Sequence, residues 1–213
     1  RFKLLTDDAQ KSHFEQGLHR IASQYYHRGT LWLGLEHEVL SFEMEQKQWQ
    51  RHQFPEESQV SLVTGLTVDP SGDTWAATNA GLFRLEGKKG FVKETRPFAL
   101  LNNEVDISLM SISHSSDGTL NLGLWQHGLI RWQPQTPEQP ALQFDIARHQ
   151  SDGIQQSAVS PDGLIWLTSA SSGLYRFDPE DQSIQRFSTA TSSIPVLPTN
   201  NLPCVTVAAS HEI

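Results

Sequence analysis

The stretch Asp162-Gly163-Leu164-Ile165-Trp166-Leu167-Thr168, followed after a short polar loop by Gly173-Leu174-Tyr175-Arg176-Phe177, decides the fold of this 213-residue chain, because three other segments repeat it. They begin at Arg28-Gly29-Thr30-Leu31-Trp32, Ser71-Gly72-Asp73-Thr74-Trp75 and Asp117-Gly118-Thr119-Leu120-Asn121. The leading glycines recur after 43, 46 and 45 residues, and three residues beyond each stands Trp32, Trp75, Asn121 or Trp166. A second signature closes each segment: Glu38-Val39-Leu40-Ser41, Gly81-Leu82-Phe83-Arg84, Gly128-Leu129-Ile130-Arg131 and Gly173-Leu174-Tyr175-Arg176. Self-similarity at such a period marks a repeat architecture, in which one small unit is stabilised by stacking on its neighbours.

Each unit reads as four short strands, a to d. Strand a runs into Asp69-Pro70-Ser71-Gly72, Ser115-Ser116-Asp117-Gly118 or Ser160-Pro161-Asp162-Gly163, turns in which Pro presets φ and Gly accepts positive φ. Strand b follows, rich in β-branched and aromatic residues, then strand c at the second signature, and strand d as in Ile184-Gln185-Arg186-Phe187. No segment keeps a 3.6-residue period for the length of a helix; the window Asp7 to Ile21 reads as a connection with one or two helical turns. Four strands in about 45 residues is the pattern of a propeller blade. The expected fold class is therefore all-β: a β-propeller segment of four four-stranded antiparallel blades, at about 19–54, 60–94, 107–145 and 154–188, with partial blades at both ends. Arg1-Phe2-Lys3-Leu4, within 1–5, is expected as strand d of a preceding blade, and Pro203 to Ser210, within 203–213, as strand a of a following one. Further repeat sequence is expected on both sides.

The form D-G-x-I/L-W-L-x-T/G-x-x-x-G-L-x-R-F/W resembles the two-component-regulator propeller repeat. The resemblance covers nearly the whole chain. It departs at His27-Arg28-Gly29 and Glu38 in the first unit and at Asn121 in the third, where a large packing group is lost. What the resemblance implies is a non-catalytic, ligand-sensing segment of a bacterial membrane receptor, a hybrid histidine kinase or a diguanylate cyclase, with the propeller in the periplasm and the output module in the cytoplasm. The partners it implies are a small-molecule ligand, with a saccharide among the candidates, neighbouring blades of the same receptor, and in some such receptors a second copy of the chain.

Composition narrows the alternatives. Lys and Arg total 16 against 24 Asp and Glu, a net charge of −8 with the basic residues scattered, which argues against a nucleic-acid partner. Cys204 is the sole cysteine, so neither an internal disulfide nor a thiolate metal knuckle is available, and no apolar run reaches membrane-spanning length. No metalloprotease, nucleophile-elbow, phosphate-loop or calcium-loop motif is present, and the nine histidines lie outside metal-ligand spacings. No cofactor and no metal are expected. Two alternatives remain at this point, a propeller enzyme acting on carbohydrate and a protein-interaction platform, and sequence beyond residue 213 would separate them from a receptor.

The recurring Trp32, Trp75 and Trp166 are expected to pack between blades, and Asp69, Asp117 and Asp162 to cap their own turns. Trp125 lies outside the repeating register, in the loop between strands b and c. These b–c loops share one rim of a propeller with the d–a connections, where functional variation concentrates. Trp125 offers a stacking surface and His127 a hydrogen-bonding group two residues away. With His37, Asn79 and Ser171 at comparable positions, these are the expected ligand contacts.

Overall fold

The computed structural model describes residues 20–101, 107–146, 152–190 and 197–207. Four sheets follow one another along the chain, each antiparallel in simple sequential order. The first contains β1 (Ser23–His27), β2 (Thr30–Gly34), β3 (Glu38–Glu43) and β4 (Gln48–Gln53), and the second β5 (Val63–Val68), β6 (Thr74–Thr78), β7 (Gly81–Leu85) and β8 (Phe91–Glu94). The third contains β9 (Leu109–His114), β10 (Leu120–Leu124), β11 (Gly128–Trp132) and β12 (Leu142–Phe144), and the fourth β13 (Ile154–Val159), β14 (Ile165–Ser169), β15 (Leu174–Phe177) and β16 (Ile184–Phe187). Among the described residues helix is limited to short 3-10 turns, so the expected all-β blade architecture is observed. The expected strand at Arg1–Leu4, most of the Asp7–Ile21 window and Ala208–Ser210 lie outside the described residues.

The turns explain the glycines. In blades two to four the amide of Gly72, Gly118 or Gly163 donates to the carbonyl three residues earlier, closing the a–b turn. Asp69 does more than cap. Its Oδ1 accepts from the amides of Ser71 and Asp73, and its Oδ2 from Trp75 Nε1 at 2.9 Å, so the turn carboxylate also satisfies the buried indole. The first blade departs from the pattern because its turn is shorter: Arg28 (φ 44°) and Gly29 (φ 88°) form a two-residue hairpin between the paired His27 and Thr30. Glu38, at the place of the signature glycine, is buried and accepts two hydrogen bonds from Arg51, at 2.8 and 2.9 Å. At the matching Gly173, with φ 99°, a Cβ would stand 2.2 Å from the carbonyl oxygen of Phe187.

The core is divided into seams between consecutive sheets. Val39, Val63, Leu66 and Phe83 join the first two; Trp75, Leu109, Ile112 and Trp132 the second and third; Leu129, Ile154, Leu167 and Phe177 the third and fourth. Trp75 and Trp166 are buried as expected, whereas Trp32 is only half-buried. Trp75 meets Trp132 of the next blade edge-on, with ring centroids 5.9 Å apart. Asn121 is fully buried in the third blade's tryptophan position, accepting from Arg131 Nε at 3.0 Å and donating to Ser115 Oγ, so a polar cluster takes the place of an indole.

The four strands a (β1, β5, β9 and β13) line one axial cavity of ≈ 660 Å³, together with Pro203 and Cys204. Hydroxyls stitch these inner strands: Ser23 Oγ donates to Val63 O, Thr64 Oγ1 to Leu109 O, and Ser157 Oγ to Ser113 Oγ, each at 2.8 Å. Residues 203–207 of the expected final strand carry no ladder; there the amide of Val205 bonds to the side chain of Gln156.

Candidate functional site

Strand b ends and strand c begins at the same rim where each new strand a enters, so the b–c loops meet the incoming connections at a series of corners. Strand a is bulged near this rim in blades two to four, one extra residue in each of β5, β9 and β13 shifting the ladder. Bulges of this kind re-aim side chains at a sheet's end.

The five sequence-predicted residues fall into two corners. His37 and Asn79 meet on the segment Val60-Ser61-Leu62, which leads into β5. His37 Nδ1 lies 2.8 Å from Val60 O; since a carbonyl only accepts, Nδ1 carries the proton. Asn79 Oδ1 accepts from the amides of both Ser61 and Leu62 at 2.9 Å, which fixes the side-chain orientation and leaves its NH2 group facing away from them. A cavity of ≈ 710 Å³ opens beside Asn79, lined also by Glu57, Ser58, Gln59, Phe83 and Lys93.

The second corner is built on Asp152-Gly153, which leads into β13. Trp125 forms a β-bridge with Gly153, and its ring lies so close that a Cβ on Gly153 would stand 2.6 Å from Cε3. The indole is half-buried and spends part of its surface on this contact. The amide of Gln126 donates to Asp152 O, and Asp152 Oδ1 accepts from the amides of Gly153 and Ser171. Asp152 is fully buried, and among the described residues its Oδ2 has no hydrogen-bond partner. The structure thus brings Trp125 and Ser171 together through Asp152, while the half-buried His127 sits at the end of the same loop, its carbonyl accepting from Gln143 Nε2 at 2.8 Å. Beyond blade four, Asn200–Leu202 occupies the corresponding place: Gly173 N donates to Asn200 O and Leu202 N to Ser169 O.

Sequence reasoning missed Asp152 and Lys93. Asp152 precedes a strand a and has no counterpart in the other units, so no repeat marked it. Lys93 sits in strand d, where surface lysines are commonplace; only the folded chain brings it to the rim, its Cε 3.3 Å from where a Gly81 Cβ would be.

No family model matches the chain, and no curated protein matches it. Solved structures do. An extracellular domain from B. thetaiotaomicron, described as belonging to the hybrid two-component system BT4673, matches with a TM-score of 0.73 at 15% identity, over 90% of this chain and 25% of that one. The chain shares the fold of that extracellular domain. The corresponding domain of BT3049 matches with a TM-score of 0.62 at 15% identity, over 80% of this chain and 24% of that one. Virginiamycin B lyase from Staphylococcus aureus matches at 0.61 and 17% identity, over 80% of this chain and 56% of the enzyme. The chain therefore spans about a quarter of the two-component domains it resembles.

Proposed function

We propose that this chain is a ligand-sensing, non-catalytic propeller segment of a bacterial two-component receptor, a hybrid histidine kinase or diguanylate cyclase, and that it faces the periplasm. Its ligand is a small molecule, with saccharides the leading class, held at the b–c rim by Trp125 and His127 with contributions from His37, Asn79 and Ser171. The observation that carries this reading is the fold shared over 90% of the chain with an extracellular domain of a two-component system. The rim supports it physically: rigid loops tied to the next blade present a half-buried indole and polar groups, a combination suited to a sugar ring and its hydroxyls. Likeness to a lyase carries no reaction with it, because one fold hosts many chemistries.

The coding sequence that follows residue 213 tests the reading. A membrane-spanning helix followed by a kinase or cyclase module is expected. Completion of the ring followed by a stop codon would favour the enzyme or platform alternatives.

A further inference from the structure

The cavity beside Asn79 is marked by a lysine on its lining and by the direction of the hydrogen bonds at Asn79. Asn79 has one carbonyl oxygen, and two backbone amides already occupy it, so the side chain can present only N–H donors to anything in the cavity. Among the described residues, Lys93 is the one cationic group lining this space. It runs across Gly81 with Nζ 3.9 Å from where a Cβ would be, and that glycine is two residues from Asn79. Among the described residues Lys93 makes no ion pair, although Arg51, Arg84, Lys89 and Arg96 all do. Glu57, Ser58 and Gln59 line the same cavity and supply a carboxylate, a hydroxyl and an amide, and Phe83 lines it too.

A lysine and an amide N–H donor, lining one cavity with the side chains of Glu57, Ser58 and Gln59, match a ligand carrying both a carboxylate and hydroxyls. We infer that this cavity is a subsite for an acidic saccharide of the uronic acid class, with the carboxylate held by Lys93 Nζ and Asn79 Nδ2 and the ring hydroxyls turned towards Glu57, Ser58 and Gln59. The assignment rests on the ligand-binding reading above and adds the chemical class to it.

The test is a calorimetric or NMR titration of the chain with methyl β-D-glucuronide and methyl β-D-glucoside, which differ only in carrying a carboxylate or a CH2OH group. The glucuronide should bind about tenfold more tightly, the scale of one charge-assisted hydrogen bond. Lys93→Gln should erase that preference while Lys93→Arg keeps most of it, and raising salt should weaken the glucuronide alone. Lys93 is exposed, so neither variant threatens the fold. Equal binding of the two glycosides, or a preference that survives Lys93→Gln, overturns the acidic assignment and leaves saccharide binding at the rim intact. Failure of both glycosides to bind overturns it as well and removes this cavity from the ligand-binding reading.

Discussion

The corner at Val60-Ser61-Leu62 and the corner at Asp152-Gly153 solve one problem in opposite ways. In both, the chain entering a new strand a brings backbone groups that need partners near a b–c loop. At the first, the loop reaches out: Asn79 bonds two incoming amides, His37 bonds the carbonyl beside them, and an open cavity remains. At the second, the connection reaches in: Asp152 takes the loop amide of Ser171, and Trp125 closes over Gly153. The first corner is held by polar groups that water can replace and stays open. The second is held by a buried carboxylate and an aromatic ring, so changes there should act on stability as well as on binding.

The largest effects should come from tryptophan. Trp75, nearly inaccessible and bonded to Asp69, should cost about 3–5 kcal/mol on truncation to Ala. Trp125→Ala, half-buried, should cost roughly half of that, seen as a smaller fall in Tm. Equal losses would mean that the second corner is ordinary core, and the comparison would break.

Next come the two capping side chains. Asp152→Ala strands two loop amides at a fully buried site and should cost about 1–3 kcal/mol, whereas Asn79→Ala exposes its amides to water and should cost about 1 kcal/mol or less. Asp152→Asn keeps an oxygen for the two amides, so its chemical-denaturation midpoint should fall less than that of Asp152→Ala. An equal fall in the two variants would show that the two amide bonds are not what holds this corner.

The repeating elements were legible because their chemistry recurs. Positive φ at the turn glycine recurs in every blade and an indole at strand b in three of the four, so sequence alone located strands and rim. Departures were visible as departures but not in their resolution. The pairing of Glu38 with Arg51, or of Asn121 with Arg131, depends on residues meeting across a ladder. The candidate site was legible only as a set of loops. That Trp125 packs on Gly153, or that Lys93 reaches the rim, depends on non-repeating neighbours.

A smaller effect should come from acid. Burial holds His52 below its ordinary 6.5, where it contacts Trp32, Phe91 and Ser41 at the seam between blades one and two. The unfolded chain then takes up the proton more readily than the folded one. The stability this histidine contributes is present in full above about pH 6.5 and declines as the pH falls below that value. Melting curves from pH 8 to 5 should show this decline, and His52→Gln should flatten it. An unchanged slope in the variant would place the acid-sensitive group elsewhere, with the half-buried His114, also pushed down chiefly by burial, the next to examine.

The central claim is that the b–c rim, and not the opposite one, meets the ligand. The most direct measurement is the dose response of the full-length receptor in a signalling assay, with the double variant Trp125→Ala/His127→Ala set against Glu180→Ala, an exposed change in the c–d turn of blade four on the other rim. The rim variant should need at least about tenfold more ligand for half response while Glu180→Ala behaves as the unaltered receptor. An undiminished response in the rim variant, or an equal loss in Glu180→Ala, would contradict the claim and leave these four blades as scaffold.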